Sequence, residues 1–385
     1  VGGKGILFVS HSAAVSGAEI VLLAIARHIG GASAFVFQPG PLADRLGALG
    51  LPVKTSARAD GLSTVRRGGS MWKSLPLAGR LVAITRDIAQ AASDHRVIYA
   101  NSQKAFVLSA IAAFFLRKPL IWHLHDIPDR AHFGRVQLGL QILLANRCAK
   151  RVIVPSEAVK RAFVTAGGRQ TLVRIVPNGV TVPEADGGTS EELRAILGLP
   201  DGPMVGVFSR LARWKGQHVV LQALAGIPRV RCVIAGTALF GEEAYAGELQ
   251  AMVGRLGLAD RVIFLGQRSD IPDLMRAVDI VIHPSIAPEP FGLTVVEGML
   301  VGTPVIGTAA GAIPEILDDG RAGWLVAPGD AEVLNKSICE IFASPEEVER
   351  RIAYARQRAK THYSAERMVR EIVAVIDEVS AEVAS

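Results

Sequence analysis

Glu289-Pro-Phe-Gly-Leu-Thr-Val-Val-Glu297 follows a short apolar run, Ile280-Val-Ile-His283, and opens a longer apolar stretch over 293–300. A four-residue run with three β-branched residues, followed by a loop with Pro at both ends, predicts a buried strand, and the longer stretch predicts a helix. Pro290 resists any helix before it, and Gly292 permits a tight turn. The result is one strand–loop–helix unit bearing two carboxylates, Glu289 on the loop and Glu297 about two turns into the helix. Free N–H groups at a helix start favour an anion. A ligand carrying a phosphate and several hydroxyls suits such a place, because amides meet the phosphate and carboxylates accept from hydroxyls.

The same alternation runs outward in both directions. Strands are expected over 6–10, 34–38, 97–101, 120–123, 151–155 and 174–177, then over 204–208, 231–235, 262–265, 280–283, 304–307 and 323–326, with helical patterns between them. Apolar strands separated by helices predict an α/β fold of parallel sheets covered on both faces. The stretch 181–190, rich in Gly, Pro and small polar residues, predicts a linker. Two doubly wound Rossmann-like domains follow, 1–183 and 190–364. A final helix is expected over 365–383, with Met368, Ile372, Val375, Ile376 and Val379 at helical spacing. The run 105–116 is too short to cross a bilayer and predicts a buried helix.

The 385 residues are 50% hydrophobic and 20% charged, which excludes a disordered chain. The three cysteines, Cys148, Cys232 and Cys339, form neither a CxxC motif nor a Cys/His ladder, so a reducing cytosol is expected, with no structural zinc. The first apolar run has strand length and no cleavage-type flank, so no secretory leader is expected in it. The net charge of +6 hides an asymmetry: residues 1–180 carry 23 Lys and Arg against 8 Asp and Glu, and the remainder is net acidic. A basic first half suits a phosphorylated or lipid-linked acceptor, or peripheral contact with the inner face of a membrane. Sparse aromatic residues argue against nucleic acid.

Each chemistry-bearing motif falls just after an expected strand, where ligands bind in doubly wound sheets, so all are expected in a cleft between the domains. Arg210 and Lys215 lie in Ser209-Arg-Leu-Ala-Arg-Trp-Lys-Gly216, five residues apart at a helix entry. Such a pair suits a diphosphate leaving group, whose charge builds in the transition state. Gly17, in Ser16-Gly-Ala-Glu19, lets a backbone approach a ligand. The order is not the GxGxxG of a dinucleotide fold. His123 and His125 end the strand over 120–123. They are expected to face apart, with His125 toward the ligand and Asp126 orienting it. Acceptor contact is expected from His123, Arg66, Arg67 or Trp72, the last three in a basic, apolar stretch over 66–80. No Asp-x-Asp pair, nucleophile elbow or P-loop occurs, and no metal ligand set is expected.

The chain resembles the retaining GT-B glycosyltransferases of family 4 over nearly its full length. Ser209-Arg-Leu211 with Lys215-Gly216, Val176-Pro-Asn-Gly-Val180, the Glu289–Glu297 stretch, and Gly302-Thr-Pro-Val-Ile306 with 311–315 carry the resemblance. It implies that Glu297 accepts from the nucleotide ribose and that Glu289 binds donor-sugar hydroxyls. Amides of Phe291, Gly292, Leu293 and Thr294 would meet sugar and phosphate, Arg210 and Lys215 would hold the diphosphate, and Gly17 would approach it. His125 would sit near the anomeric carbon. The last helix, over 365–385, would cross back onto the first domain. The implied reaction moves a hexosyl or N-acetylhexosaminyl group from a nucleoside-diphosphate sugar, UDP by default and GDP as the alternative, to a hydroxyl, without metal or cofactor. Polysaccharide, glycolipid and secondary-metabolite synthesis are the pathways it suits. A sugar-nucleotide hydrolase or epimerase on the same scaffold would need an extra acid/base pair. A non-catalytic binder of anionic glycans or membranes would leave the sugar nucleotide intact.

Overall fold

The computed structural model describes residues 5–56, 75–130, 133–184, 189–239 and 241–382, with the side chains of 75–78 excepted. The chain divides into two compact units, one made of 1–179 with 365–385 and the other of 180–364.

In the first unit the strands are β1 (Ile6–Ser10), β2 (Ser33–Val36), β3 (Val53–Thr55), β4 (Val97–Ala100), β5 (Leu120–His123), β6 (Ala149–Val154) and β7 (Val173–Ile175). All pair in parallel, in the order β3-β2-β1-β4-β5-β6-β7. The helices are α1 (Gly17–Ala26), α2 (Pro41–Ala48), α3 (Leu75–Ala92), α4 (Gln103–Leu116), α5 (Arg135–Cys148) and α6 (Glu157–Thr165). One side of the sheet packs on α3, α4, α5 and α6, where Phe106 stacks on Trp122 at 4.1 Å between ring centres. The other side packs on α1, α2 and the last helix.

The second unit holds β8 (Met204–Phe208), β9 (Arg231–Ala235), β10 (Val262–Gly266), β11 (Ile280–His283), β12 (Val305–Thr308) and β13 (Trp324–Val326), parallel and ordered β10-β9-β8-β11-β12-β13. Its helices are α7 (Ser190–Leu197), α8 (Gln217–Ala225), α9 (Glu243–Arg255), α10 (Ile271–Ala277), α11 (Leu293–Val301), α12 (Ile313–Ile316), α13 (Ala331–Ala343) and α14 (Pro345–His362). The final helix, α15 (Ala365–Ala381), returns to the first unit. Its stripe of Met368, Ile372, Val375, Ile376 and Val379 is buried there. Arg151 and Arg174 grip its outer side through Glu378.

Both sheets are Rossmann-like. In each, the chain reverses its direction of travel between the first and fourth strands, β1/β4 in one unit and β8/β11 in the other. The loops leaving those strands therefore splay apart and open a crevice at the carboxyl edge. Two expectations change. β3 was not expected, because Val53-Lys-Thr55 has no apolar run and two of its three residues are exposed. The helix over 105–116 is not fully buried: α4 leaves Phe114 70% and Phe115 77% exposed. No helix among the described residues is long and apolar enough to cross a membrane.

Candidate active site

In the second unit, the loops after β8 and β11 meet at the switch point. Glu289, on the loop after β11, is buried at 6% exposure. Lys215 Nζ donates to its Oε1 at 2.5 Å, Ser285 Oγ donates to the same oxygen at 2.6 Å, and His283 Nε2 lies 3.3 Å away. Burial opposes a charge on Glu289, but Lys215 and then His283 outweigh it and hold the carboxylate well below the ordinary glutamate range. The loop is fixed from below. Thr308 Oγ1 donates to the Ser285 carbonyl at 2.7 Å, and Ala312 N donates to the Glu289 carbonyl at 2.9 Å. Gly311 (φ 63) lies so close that a methyl group there would run into the Glu289 backbone.

The other cation of the expected clamp stands nearby. The Arg210 guanidinium lies 5.3 Å and the Lys215 ammonium 4.3 Å from the centre of the Trp214 ring, so one indole positions both. Lys215 was expected on a diphosphate, and in this structure its partner is Glu289. Gly216 (φ 74) ends the loop with its backbone against the Pro284 carbonyl, a place closed to any side chain. Helix α11 then begins at Leu293. Thr294 Oγ1 anchors it by donating to the Phe208 carbonyl at 3.1 Å, and Gly292 packs on Ile313. Glu297 is the fifth residue of α11, little more than one turn in, rather than two. No side chain among the described residues pairs with it, and burial pushes its carboxyl up to about 7.

In the first unit, Gly17 is the first residue of α1. Its loop is held by Glu19, which accepts from the Ser16 amide at 3.1 Å and the Ser16 hydroxyl at 2.5 Å. Asn101, just past β4, ties this loop to the histidines: its Nδ2 donates to the Ala18 carbonyl at 3.1 Å, and its Oδ1 lies 3.0 Å from His125 Nε2. His123 and His125 do not face apart. Alternate residues of an extended chain share a face, and the two rings lie 3.9 Å apart. His123 is fully buried and bonded to the Tyr99 hydroxyl at 2.7 Å, which withdraws it from acceptor contact, and the residue that orients His125 is Asn101 rather than Asp126. Burial pushes His125 down to about 3, so it is neutral near pH 7. Because Asn101 Nδ2 is committed to a carbonyl, its Oδ1 accepts from His125 Nε2–H. His125 Nδ1 is left as an acceptor for a hydroxyl.

Arg66, Arg67 and Trp72 lie outside the described residues. Sequence reasoning missed His283, Ser285, Trp214, Asn101 and Tyr99. His283, Ser285 and Asn101 stand at or just beyond a strand end beside a switch point, which is the signal that would have found them, whereas Tyr99 lies within β4 and Trp214 further along the loop after β8. Among the described residues, no three His, Cys, Asp or Glu side chains group as a metal site.

Residues 15–182 match the family described as Glycosyltransferase Family 4, and residues 189–358 match Glycosyl transferases group 1. Anabaena Alr3699/HepE, solved in complex with UDP and glucose, is 37% identical with a TM-score of 0.85, covering 97% of this chain and 99% of that one. The chain belongs to glycosyltransferase family 4. This glycosyltransferase has the GT-B fold of two Rossmann-like domains. A structure of Alr3699/HepE with UDP-glucose is 36% identical, with the same TM-score and coverage. The lipopolysaccharide core biosynthesis mannosyltransferase LpsB of Rhizobium meliloti (strain 1021) is 29% identical over 277 residues, 67% of this chain and 79% of its own length. The D-inositol 3-phosphate glycosyltransferase of Mycolicibacterium smegmatis is 33% identical over 198 residues, and the match spans 50% of this chain and 45% of that protein. A sucrose-phosphate synthase of Thermosynechococcus elongatus, 21% identical with a TM-score of 0.80 over 98% of this chain and 99% of that chain, shares the fold.

Proposed function

We propose that this glycosyltransferase moves a hexosyl-type group from a UDP-sugar to a hydroxyl acceptor with retention of configuration and without a metal ion. The observation that carries this reading is the buried Lys215–Glu289–His283–Ser285 cluster beneath the start of α11. It is a charge-balanced floor with one carboxylate, fixed in place before any ligand arrives. A preorganised floor of that kind orients sugar hydroxyls without reorganisation during the reaction. GDP remains the alternative base, and the UDP complexes of Alr3699/HepE support UDP.

In this reading Glu297 accepts from the ribose hydroxyls, and Glu289 binds the donor sugar. The amides of Phe291 to Thr294 meet sugar and phosphate. Arg210, with Lys215 in place beside Glu289, neutralises the diphosphate. Gly17 and His125, which belong to the first unit, serve the same transfer, with His125 Nδ1 accepting from a sugar hydroxyl. The bond from the anomeric carbon to the β-phosphate oxygen breaks, the acceptor oxygen bonds to that carbon on the same face, and the departing phosphate takes the acceptor's proton. No protein nucleophile is required. The acceptor is a sugar or another polyol, and a phosphorylated or lipid-linked one fits the basic first half of the chain.

Incubating the purified protein with UDP-, GDP- and ADP-sugars in the presence of a chelator tests the proposal. The expected result is slow hydrolysis of a UDP-sugar, with the retained anomer seen first by NMR. Glu289→Ala should lose that activity by at least about a hundredfold. Turnover that requires added divalent metal, or release of the inverted anomer, overturns the reading.

A further inference from the structure

Helix α4 reads Gln-Lys-Ala-Phe-Val-Leu-Ser-Ala-Ile-Ala-Ala-Phe-Phe-Leu, with Lys104 its only charge. A helix that is apolar all round is normally covered all round. One face of α4 is covered, where Phe106, Ala110 and Ala113 enter the core. The opposite face presents Ile111, Phe114 and Phe115 to solvent. The neighbouring α5 repeats the pattern: Val136, Leu140 and Leu143 are exposed at i, i+4 and i+7 on one face, and Arg147 continues that line. Six of the thirteen exposed large apolar side chains among the described residues lie on these two helices, so the exposure is concentrated rather than scattered.

The charges on these two helices have one sign. Neither helix contains an Asp or Glu. At their common carboxyl ends, Phe114, Phe115, Arg117, Arg147 and Lys150 surround an open hollow. Arg117, Arg147 and Lys150 are exposed and carry no ion pair among the described residues. Lys118 is different: its ammonium is committed to the carbonyls of Ser93 and His95. Arg117 caps α4 in a left-handed conformation (φ 52), where glycine is the usual occupant, so an exposed cation is kept at that point against backbone preference.

We propose that the exposed face of α4 and α5 docks on the surface of an anionic lipid bilayer. Phe114, Phe115, Leu140 and Leu143 enter the boundary between headgroups and acyl chains, while the three free cations meet lipid phosphates. The same charges argue against a second copy of this chain as the occupant. A two-fold contact centred on this face would bring Arg117, Arg147 and Lys150 of the two copies together, with no Asp or Glu on either helix to balance them. The site is separate from the loops at the carboxyl edge of the sheet, so it can be altered without touching the residues proposed to act on the donor.

Co-sedimentation of the full chain with vesicles decides the matter. Phosphatidylcholine vesicles are compared with vesicles that also contain phosphatidylglycerol, at low and high salt. The wild type should bind the anionic vesicles, bind neutral ones weakly, and be released by salt. Phe114→Ser with Phe115→Ser, and separately Arg117→Glu with Arg147→Glu, should each weaken that binding at least about tenfold. Their thermal melting and donor hydrolysis should match the wild type, which excludes misfolding as the cause. Equal binding to neutral vesicles, no binding to either, or binding untouched by both variant pairs overturns the proposal. So does a concentration-dependent dimer in sedimentation velocity that the Phe114→Ser/Phe115→Ser chain no longer forms.

Discussion

Glu289 and Glu297 have the same chemistry and sit in one short stretch, yet their surroundings drive them in opposite directions. Glu289 is kept ionised by Lys215 and His283 against the cost of burial. Its contribution to stability is present above the unfolded value near 4.5 and is lost as pH falls below it. Glu297 has no partner among the described residues, and burial alone raises it to about 7. Between about 4.5 and 7 the folded chain therefore holds a proton that the unfolded chain releases, so stability falls as pH rises through that window. Glu297→Gln should be more stable than the wild type at pH 8, by about 3 kcal/mol at most, with the difference closing toward pH 5. Urea denaturation of the two proteins at the two pH values measures it. The same variant should bind nucleotide less well, and wild-type affinity should climb as pH rises through about 7, since the ionised form accepts from two hydroxyls. An isothermal titration series in which the wild type and Glu297→Gln show identical pH profiles would contradict both the burial and the assigned role.

At the scale of elements, much was legible in the sequence, for a physical reason. β8, β9 and β11 lie where their apolar runs predicted, because strands buried on both faces are apolar throughout, as in β8, or at all but one end residue, Arg231 in β9 and His283 in β11. The loop of Glu289 was legible because Pro290 and Gly292 punctuate it. What the sequence hid was contact across distance. Nothing near position 215 announces that its ammonium meets position 289, and nothing at 311 announces that its backbone lies against the Glu289 backbone. The pairing of His123 with His125 was misjudged although strand periodicity places both on one side. Gly311 carries the element-scale prediction. Its φ of 63° suits glycine, and a methyl group would displace the backbone of Glu289. Gly311→Ala should cost about 1–3 kcal/mol and should also weaken donor binding, because the loop it pushes is the one that positions the carboxylate. Thermal melting and donor titration report the two effects separately. A variant that melts like the wild type would mean that the loop has room the structure does not show.

Over the whole molecule, the first unit is discontinuous. Its sheet is built from residues before 180, but one of its faces is closed by α15. Ile372 is wholly buried in that face. Ile372→Ala should destabilise the first unit by about 2–5 kcal/mol. The second unit shares none of its core residues and should keep its own transition. Differential scanning calorimetry resolving an early, shifted transition beside an unshifted one is the expected result. A single cooperative transition that moves as a whole would show that the units unfold together.

The return of α15 also sets an order of events during synthesis. A ribosome making this chain finishes the strands of the first unit long before it reaches residue 365. At about 5–20 residues per second, the intervening stretch takes roughly ten to forty seconds. Throughout that interval one side of a nearly complete sheet, including Tyr99, Ile121 and Ile153, lacks the helix that will cover it. The second unit, continuous in the chain, is free to fold meanwhile. The nascent protein therefore passes through a stage with its later half finished and its earlier half unsealed, which makes that uncovered sheet the surface a chaperone would guard.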